Sequence, residues 1–263
     1  MRLGVKINVA LDIWVECDGK KNITAIKETA WRIVELQEKI SARKLVDSIE
    51  EQQILEELIE ESKPVLLQSQ IGFHSLLYTP FRYPPLKYGS RFGKRTEPSL
   101  WYGSLNIEIV MAEKAFYQLA FINASTANFG MTSSPMATFS VLLNMINGVK
   151  LNEAPFIKFK NKISSPSDYK NSQLLGTRMR ESNVDGFTFY SARDVKTGIN
   201  VGIFKIHAFA NKNPDSKSFE TWQCNTTKIN VEFIQTGSLK DRIFTFSIQD
   251  FQVNGRLPFP AIT

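Results

Sequence analysis

Four late segments, DGFTFYSARD from Asp185, NVGIFKIHAFA from Asn200, TKINVEFIQTG from Thr227 and RIFTFSIQDF from Arg242, set the strongest limit on how this chain folds. Each alternates or clusters β-branched and aromatic residues between turn signals, which is strand behaviour. The front of the chain has another period. Between Lys21 and about Lys63, apolar residues recur at three- and four-residue steps, through Ile26, Ala30, Ile33, Val34, Leu36 and Ile40, then through Leu45, Ile49, Leu55, Leu58 and Ile59. That spacing predicts two amphipathic helices joined near Ser41 to Val46, with Pro64 closing the second. A further helix is predicted over Leu105 to Phe121, and a turn-prone passage from Asn123 to Pro135. Helices early and strands late predict an α+β fold with an antiparallel-rich sheet. The expected organisation is an N-terminal helical extension over residues 1–65 and a larger unit over residues 66–263.

With 263 residues, 43% of them hydrophobic, the chain buries a sizeable core without needing a disulfide or a metal. Cys17 and Cys224 stand far apart in no metal-ligand spacing, so free thiols in a reducing cytoplasm are expected. In the opening MRLGVKINVALDIWVECDGKK, Lys6, Asn8 and Asp12 interrupt any signal-peptide core. No segment approaches the ~20 apolar residues that span a bilayer, so neither secretion nor a membrane partner is expected. The formal charge is +6, and acidic residues concentrate in IEEQQILEELIEES from Ile49 to Ser62, leaving the remainder more basic still. Such a surface attracts phosphates, whether of a polynucleotide or of a small nucleotide.

The stretch PFRYPPLKYGSRFGKRTEPSLWYG, Pro80 to Gly103, interleaves cations with aromatic rings on a backbone that its prolines and glycines keep out of any long helix. Guanidinium groups offer forked donors to phosphate oxygens, and tyrosine rings offer flat faces for a planar base. Read alone, each piece has an ordinary explanation. An arginine-rich loop is a solvated surface, Glu113 a solvated helix residue, Tyr102 strand packing and Ser191 a turn residue. Arg95 and Arg193 read as surface or ion-paired groups. His74 and His207 lack the partners for a metal site or a nucleophile triad. Neither a GxGxxG fingerprint nor a P-loop occurs, so a bound dinucleotide is expected as a substrate in a cleft and not as a redox cofactor.

The order FRYPP, GSRF, a WYG strand, the glutamate of AEKAFY in the next helix, then a strand ending YSARD before GINVGIF resembles the RES-domain family. The core of the resemblance runs from about His74 to Ala210, and the ordered combination is far more specific than any one piece. It implies an ADP-ribosyltransferase-like core and the role of toxin in a bacterial toxin–antitoxin pair, with an Xre-like antitoxin that blocks the active site. It further implies cleavage of the nicotinamide–ribose bond of NAD, with ADP-ribose passing to phosphate, water or a target protein. NAD is then a substrate, with no cofactor or metal expected, and DNA is met only through the antitoxin. Carried over by position, the family residues fall on Arg82, Tyr83, Arg91, Tyr102, Glu113 and Ser191. The implied catalytic group is Glu113 with Arg82 and Ser191, and the implied NAD-binding group is Arg82, Tyr83, Arg91, Tyr102 and Ser191. The competing reading is a non-catalytic basic module that grips nucleic acid through the same cationic, aromatic loop. That reading leaves Glu113 and Ser191 without a task.

Overall fold

The computed structural model describes residues 10–36, 48–85, 87–127, 130–194, 196–237 and 242–259. In chain order the main elements are α1 (Ile13–Glu16), β1 (Thr24–Glu35), α2 (Ile49–Glu61), α3 (Ser75–Arg82), β2 (Trp101–Ser104), α4 (Ile107–Ala124), β3 (Thr132–Lys150), α5 (Lys160–Ile163), α6 (Lys170–Glu181), β4 (Gly186–Tyr190), β5 (Ile199–Ile203), β6 (Glu220–Thr226), β7 (Asn230–Thr236) and β8 (Ile243–Ser247). The strands form one sheet in the order β1-β2-β5-β4-β3-β6-β7-β8, and β1 pairs with β3 as well. The pairing of β1, β2, β5, β4 and β3 therefore closes on itself, while β6 to β8 extend the sheet from the other end of β3. Among the described residues only the β3–β4 pair is parallel; the other pairs are antiparallel. The α+β expectation and its antiparallel bias describe this architecture.

The helical reading of the N-terminal extension is corrected over Thr24 to Glu35, which is a strand running antiparallel to β3 from Thr24↔Gly148 to Glu35↔Met136. The reason lies in its inward face. Ile26, Ala30 and Val34 reach the core, but the intervening positions of that face are Glu28 and Arg32. Two polar residues on the core side erase the alternation and leave apolar residues four apart, which mimics a helix. Arg32 is accommodated by stacking its guanidinium 5.2 Å from the Trp101 ring centroid. Residues 24–35 are thus part of the same sheet as the later strands. The second expected helix is present at Ile49–Glu61, and the Ser41–Val46 junction lies outside the described residues. The turn-prone passage also ends sooner than expected, because Thr132 to Pro135 already pair with β6.

Helix α4 starts at Asn106, whose side chain accepts the Glu108 N–H, and buries Met111, Ala112, Ala115, Phe116 and Leu119 against Trp222, Val231 and Phe233. A second apolar cluster joins Trp14, Phe92, Phe156, Phe187 and Met179. A third joins Trp101, Phe139, Leu143 and Ile203. These clusters clamp α4 and the ends of β2, β4 and β5 in fixed relation, which positions the polar groups described next.

Candidate functional site

Glu113 lies on α4, partly buried, where the helix faces the ends of β4 and β5. Its Oε1 accepts two hydrogen bonds, from Ser191 Oγ at 2.6 Å and from Asn200 Nδ2 at 2.6 Å. The direction of both is settled by their other partners. Ser191 Oγ also accepts the backbone N–H groups of Arg193 (3.0 Å) and Asp194 (3.1 Å), so its one proton goes to the carboxylate. Asn200 Oδ1 accepts from Ser104 Oγ at 2.6 Å, so its amide nitrogen is the end presented to Glu113. Oε2 has no hydrogen-bond partner among the described residues. The carboxylate is therefore gripped on one oxygen and open on the other.

The turn after β4 is built to hold Ser191 there. Ser191 N–H donates to the Gly198 carbonyl at 2.7 Å, and Asp194 Oδ2 takes the Gly198 N–H at 2.7 Å. With its hydroxyl engaged in three bonds, Ser191 orients Glu113 and has no lone pair directed at a substrate carbon.

Arg91 comes from the GSRF turn. Gly89 has φ +71°, and a Cβ there would lie 2.2 Å from the Gly93 carbonyl oxygen, so the sharp return of this turn needs glycine. Gly176 on α6 serves the same turn from below, since a Cβ would meet the Phe92 carbonyl at 2.1 Å. Tyr102 braces the turn from β2: its hydroxyl accepts the Phe92 N–H at 3.1 Å and lies 3.0 Å from Ser90 Oγ. Desolvation pushes the Tyr102 phenol up to about 12, against the lowering pull of those hydrogen bonds and of Arg91 and Arg180. So held, Arg91 donates from Nη1 to the Ser165 carbonyl at 2.6 Å and stacks 4.5 Å from the Tyr169 ring centroid.

Arg193, which reads as a surface or ion-paired cation in the sequence, is 4% exposed. Its guanidinium lies 3.4 Å from the Phe116 ring centroid, and Nη2 donates to the Pro166 carbonyl at 2.7 Å. Burial pulls it below the ordinary arginine value; Tyr169 and Glu113 act the other way, and Arg91 adds to the lowering. Tyr117, one helical turn after Glu113, is half exposed and lies among the same charges, those of Glu113, Arg91 and Arg193. Arg82 and Tyr83 are placed differently. Arg82 closes α3 with Nε donating to the Pro64 carbonyl, Tyr83 caps that helix in an exposed position, and neither is among the hydrogen-bond partners of Glu113.

The structure thus joins Glu113 and Ser191 directly and brings Arg91 within electrostatic reach of Tyr117 and Arg193, the same groups on which Glu113 acts, with Tyr102 as the brace of its turn. Sequence reasoning misses Asn200, Ser104, Tyr117 and Tyr169. Tyr117 has a signal, its i+4 spacing from Glu113. A lone asparagine in an apolar strand has none.

The RES domain family model matches residues 68–224, more than half of the chain. The chain belongs to the RES-domain family. Every residue of the cluster, including Asn200 and Arg193, falls inside that match, whereas β1 lies outside it. No curated protein matches. Among solved structures, the crystal structure of the M. tuberculosis MbcT-MbcA toxin-antitoxin complex is similar over 73% of this chain and 81% of that one, at 10% identity and a TM-score of 0.44.

Proposed function

We propose that this RES-domain protein is an NAD-consuming toxin of a toxin–antitoxin pair, cleaving the nicotinamide–ribose bond and passing ADP-ribose to phosphate, water or a target protein. The observation that carries the reading is the Glu113 carboxylate, anchored through Oε1 and open at Oε2. As the C1′–N bond breaks, its electron pair leaves with nicotinamide and positive charge develops on the ribose. A fixed carboxylate beside that carbon stabilises the charge without reorganising. Ser191 and Asn200 supply the fixing: with both donors on one oxygen, the other is held toward the open side. Arg91 supplies charge for the dinucleotide phosphates, and Tyr102 holds the turn that carries it. Arg82 and Tyr83, at the end of α3, complete the substrate contacts that the family resemblance implies. An antitoxin that covers Glu113 and Arg91 would silence the enzyme, which is the expected role of the partner.

The test is nicotinamide release from NAD by the purified chain, with and without inorganic phosphate, beside Glu113→Gln. The wild type is expected to release nicotinamide, and the variant to be slower by a factor on the order of 100 to 1,000. Dependence on phosphate names the acceptor. Full turnover by Glu113→Gln, or no release with NAD alone and none with added cell-extract proteins, overturns the reading.

A further inference from the structure

Arg193 has more hydrogen-bond donors than the fold uses. A guanidinium carries five N–H groups, and the one hydrogen bond described for this side chain is Nη2 to the Pro166 carbonyl. Nε and Nη1 are buried without a partner. Nearby acids are committed elsewhere: Asp194 accepts the Lys196 and Gly198 N–H groups, and Glu113 Oε1 accepts from Ser191 and Asn200. Arg178 is paired with both Asp12 and Glu181, and Arg242 with Glu220. Arg32 and Arg180 also keep buried nitrogens without a partner while stacking on Trp101 and Phe204, but Arg193 is the one of the three that shares its surroundings with Glu113 and a second arginine, Arg91. A buried cation left short of acceptors is costly, so its retention points to a ligand that supplies them.

A second orphan stands in the same group. The Tyr169 hydroxyl is buried without a partner, and Arg91 stacks on the ring of that tyrosine. Arg91 and Arg193 both tie down one strap, through the carbonyls of Ser165 and Pro166, and they repel each other. Of the acids nearby, Asp194 is engaged by the N–H groups of its own turn, which leaves Glu113 as the carboxylate acting on Arg193. Idle donors on Arg193, an idle hydroxyl on Tyr169 and an excess of positive charge describe a receptor for a tetrahedral oxyanion, which offers several acceptor atoms and more than one negative charge. We infer that Arg193, Arg91 and the Tyr169 hydroxyl form a buried subsite for a phosphate group beside Glu113.

The phosphate comes from one of two sources, the pyrophosphate of the dinucleotide or free inorganic phosphate acting as acceptor. In the second case a phosphate oxygen forms the bond to C1′ as the C1′–N bond breaks, and nicotinamide leaves with the electron pair. The role in turnover rests on the NAD reading above, but the subsite itself does not.

The experiment is titration of the full chain with inorganic phosphate in a phosphate-free buffer, read by calorimetry and by the melting temperature. Wild type is expected to bind saturably and to be stabilised. Arg193→Gln is expected to bind at least about tenfold more weakly. Tyr169→Phe should lose several-fold in affinity while the unliganded protein melts no lower, because the deleted hydroxyl has no partner in the fold. A purely structural role for these residues predicts the opposite pattern, lower melting and unchanged affinity. Should Arg193→Gln fail to fold, Tyr169→Phe decides alone. Absence of saturable binding to wild type, or wild-type affinity in the folded variants, overturns the subsite. Repeating the titration with saturating ADP separates the sources: competition assigns the subsite to the dinucleotide phosphates, and undiminished binding assigns it to free phosphate. Because binding is read without turnover, its failure leaves the Glu113 experiment untouched, and failure of that experiment leaves this one standing.

Discussion

Glu113 and Asp185 are both carboxylates held by hydrogen bonds at the margin of the sheet, yet they are finished differently. Asp185 is 1% exposed and uses both oxygens: Oδ2 accepts the Asn147 N–H at 2.9 Å, and Oδ1 accepts from Lys205 and lies 3.1 Å from His207 Nε2. Its backbone joins in, since its carbonyl accepts the Phe204 N–H at 2.8 Å. Glu113 is satisfied on Oε1 alone. The closed acid ties the start of β4 to β3 and to the segment after β5, while the open acid holds capacity in reserve. Completeness of hydrogen bonding separates a structural carboxylate from one available for chemistry.

The largest effect that this contrast predicts is kinetic. Glu113→Gln keeps an oxygen for Ser191 and Asn200, so its melting temperature should stay within about 2 °C of wild type while nicotinamide release falls by a factor on the order of 100 to 1,000. Asp185→Asn should do the reverse, leaving the rate per folded molecule unchanged and costing roughly 3 kcal/mol of stability, measured by urea unfolding. Its pH dependence has a definite sign. Desolvation raises the Asp185 carboxyl, but Asn147, Lys205 and His207 together hold it below the ordinary carboxylate value. A group lowered in the folded state contributes stability above its unfolded value and loses it as pH falls through the folded one. Wild type should therefore lose stability below about pH 4, and Asp185→Asn should show a shallower slope there. A steep slope retained by the variant would break the comparison.

How far these roles were legible beforehand follows the same division. Helix α4 is readable because its cap and its run of good helix formers agree with its burial, and β4, β5, β7 and β8 are readable because their alternation survives. Strand β1 is not, since Glu28 and Arg32 occupy its inward face and only pairing with β3 over Thr24 to Glu35 settles its state. In the site, Glu113, Ser191 and Arg91 are legible through the order of their motifs. Arg193 shares the YSARD motif but reads as a surface or ion-paired cation, because burial beside Phe116 depends on α4 and β4 meeting. Asn200 is illegible altogether. Its amide is turned toward Glu113 by Ser104, two strands' register bringing Ser104 opposite Asn200.

That pairing makes Asn200 the sharper instrument. Asn200→Ala removes one of two donors to Oε1 and leaves Ser191 in place, so the carboxylate is loosened without being lost. Release should slow about tenfold, with a stability loss of about 1–2 kcal/mol from the Ser104 hydroxyl left buried. Loss of stability with an unchanged rate would show that Ser191 alone positions Glu113.

The smallest effect is expected at Tyr102, a closed group that acts inside the site region. Its hydroxyl takes the Phe92 N–H and meets Ser90, so it shapes the turn of Arg91. Tyr102→Phe should therefore raise the KM for NAD a few-fold, as Arg91 loosens, with kcat nearly intact. Its clearer signature is alkaline. Folding raises this phenol from its ordinary 10 to about 12 by desolvation, so between those values the unfolded chain has released a proton that the folded chain retains. Stability then falls as pH rises above about 10, by roughly 2–3 kcal/mol at most across that interval. Tyr102→Phe lacks the proton and should lack that part of the decline. Unfolding curves for wild type and variant that run parallel from pH 9 to 11 would show the phenol to be solvated, and the turn that carries Arg91 to be braced by something else.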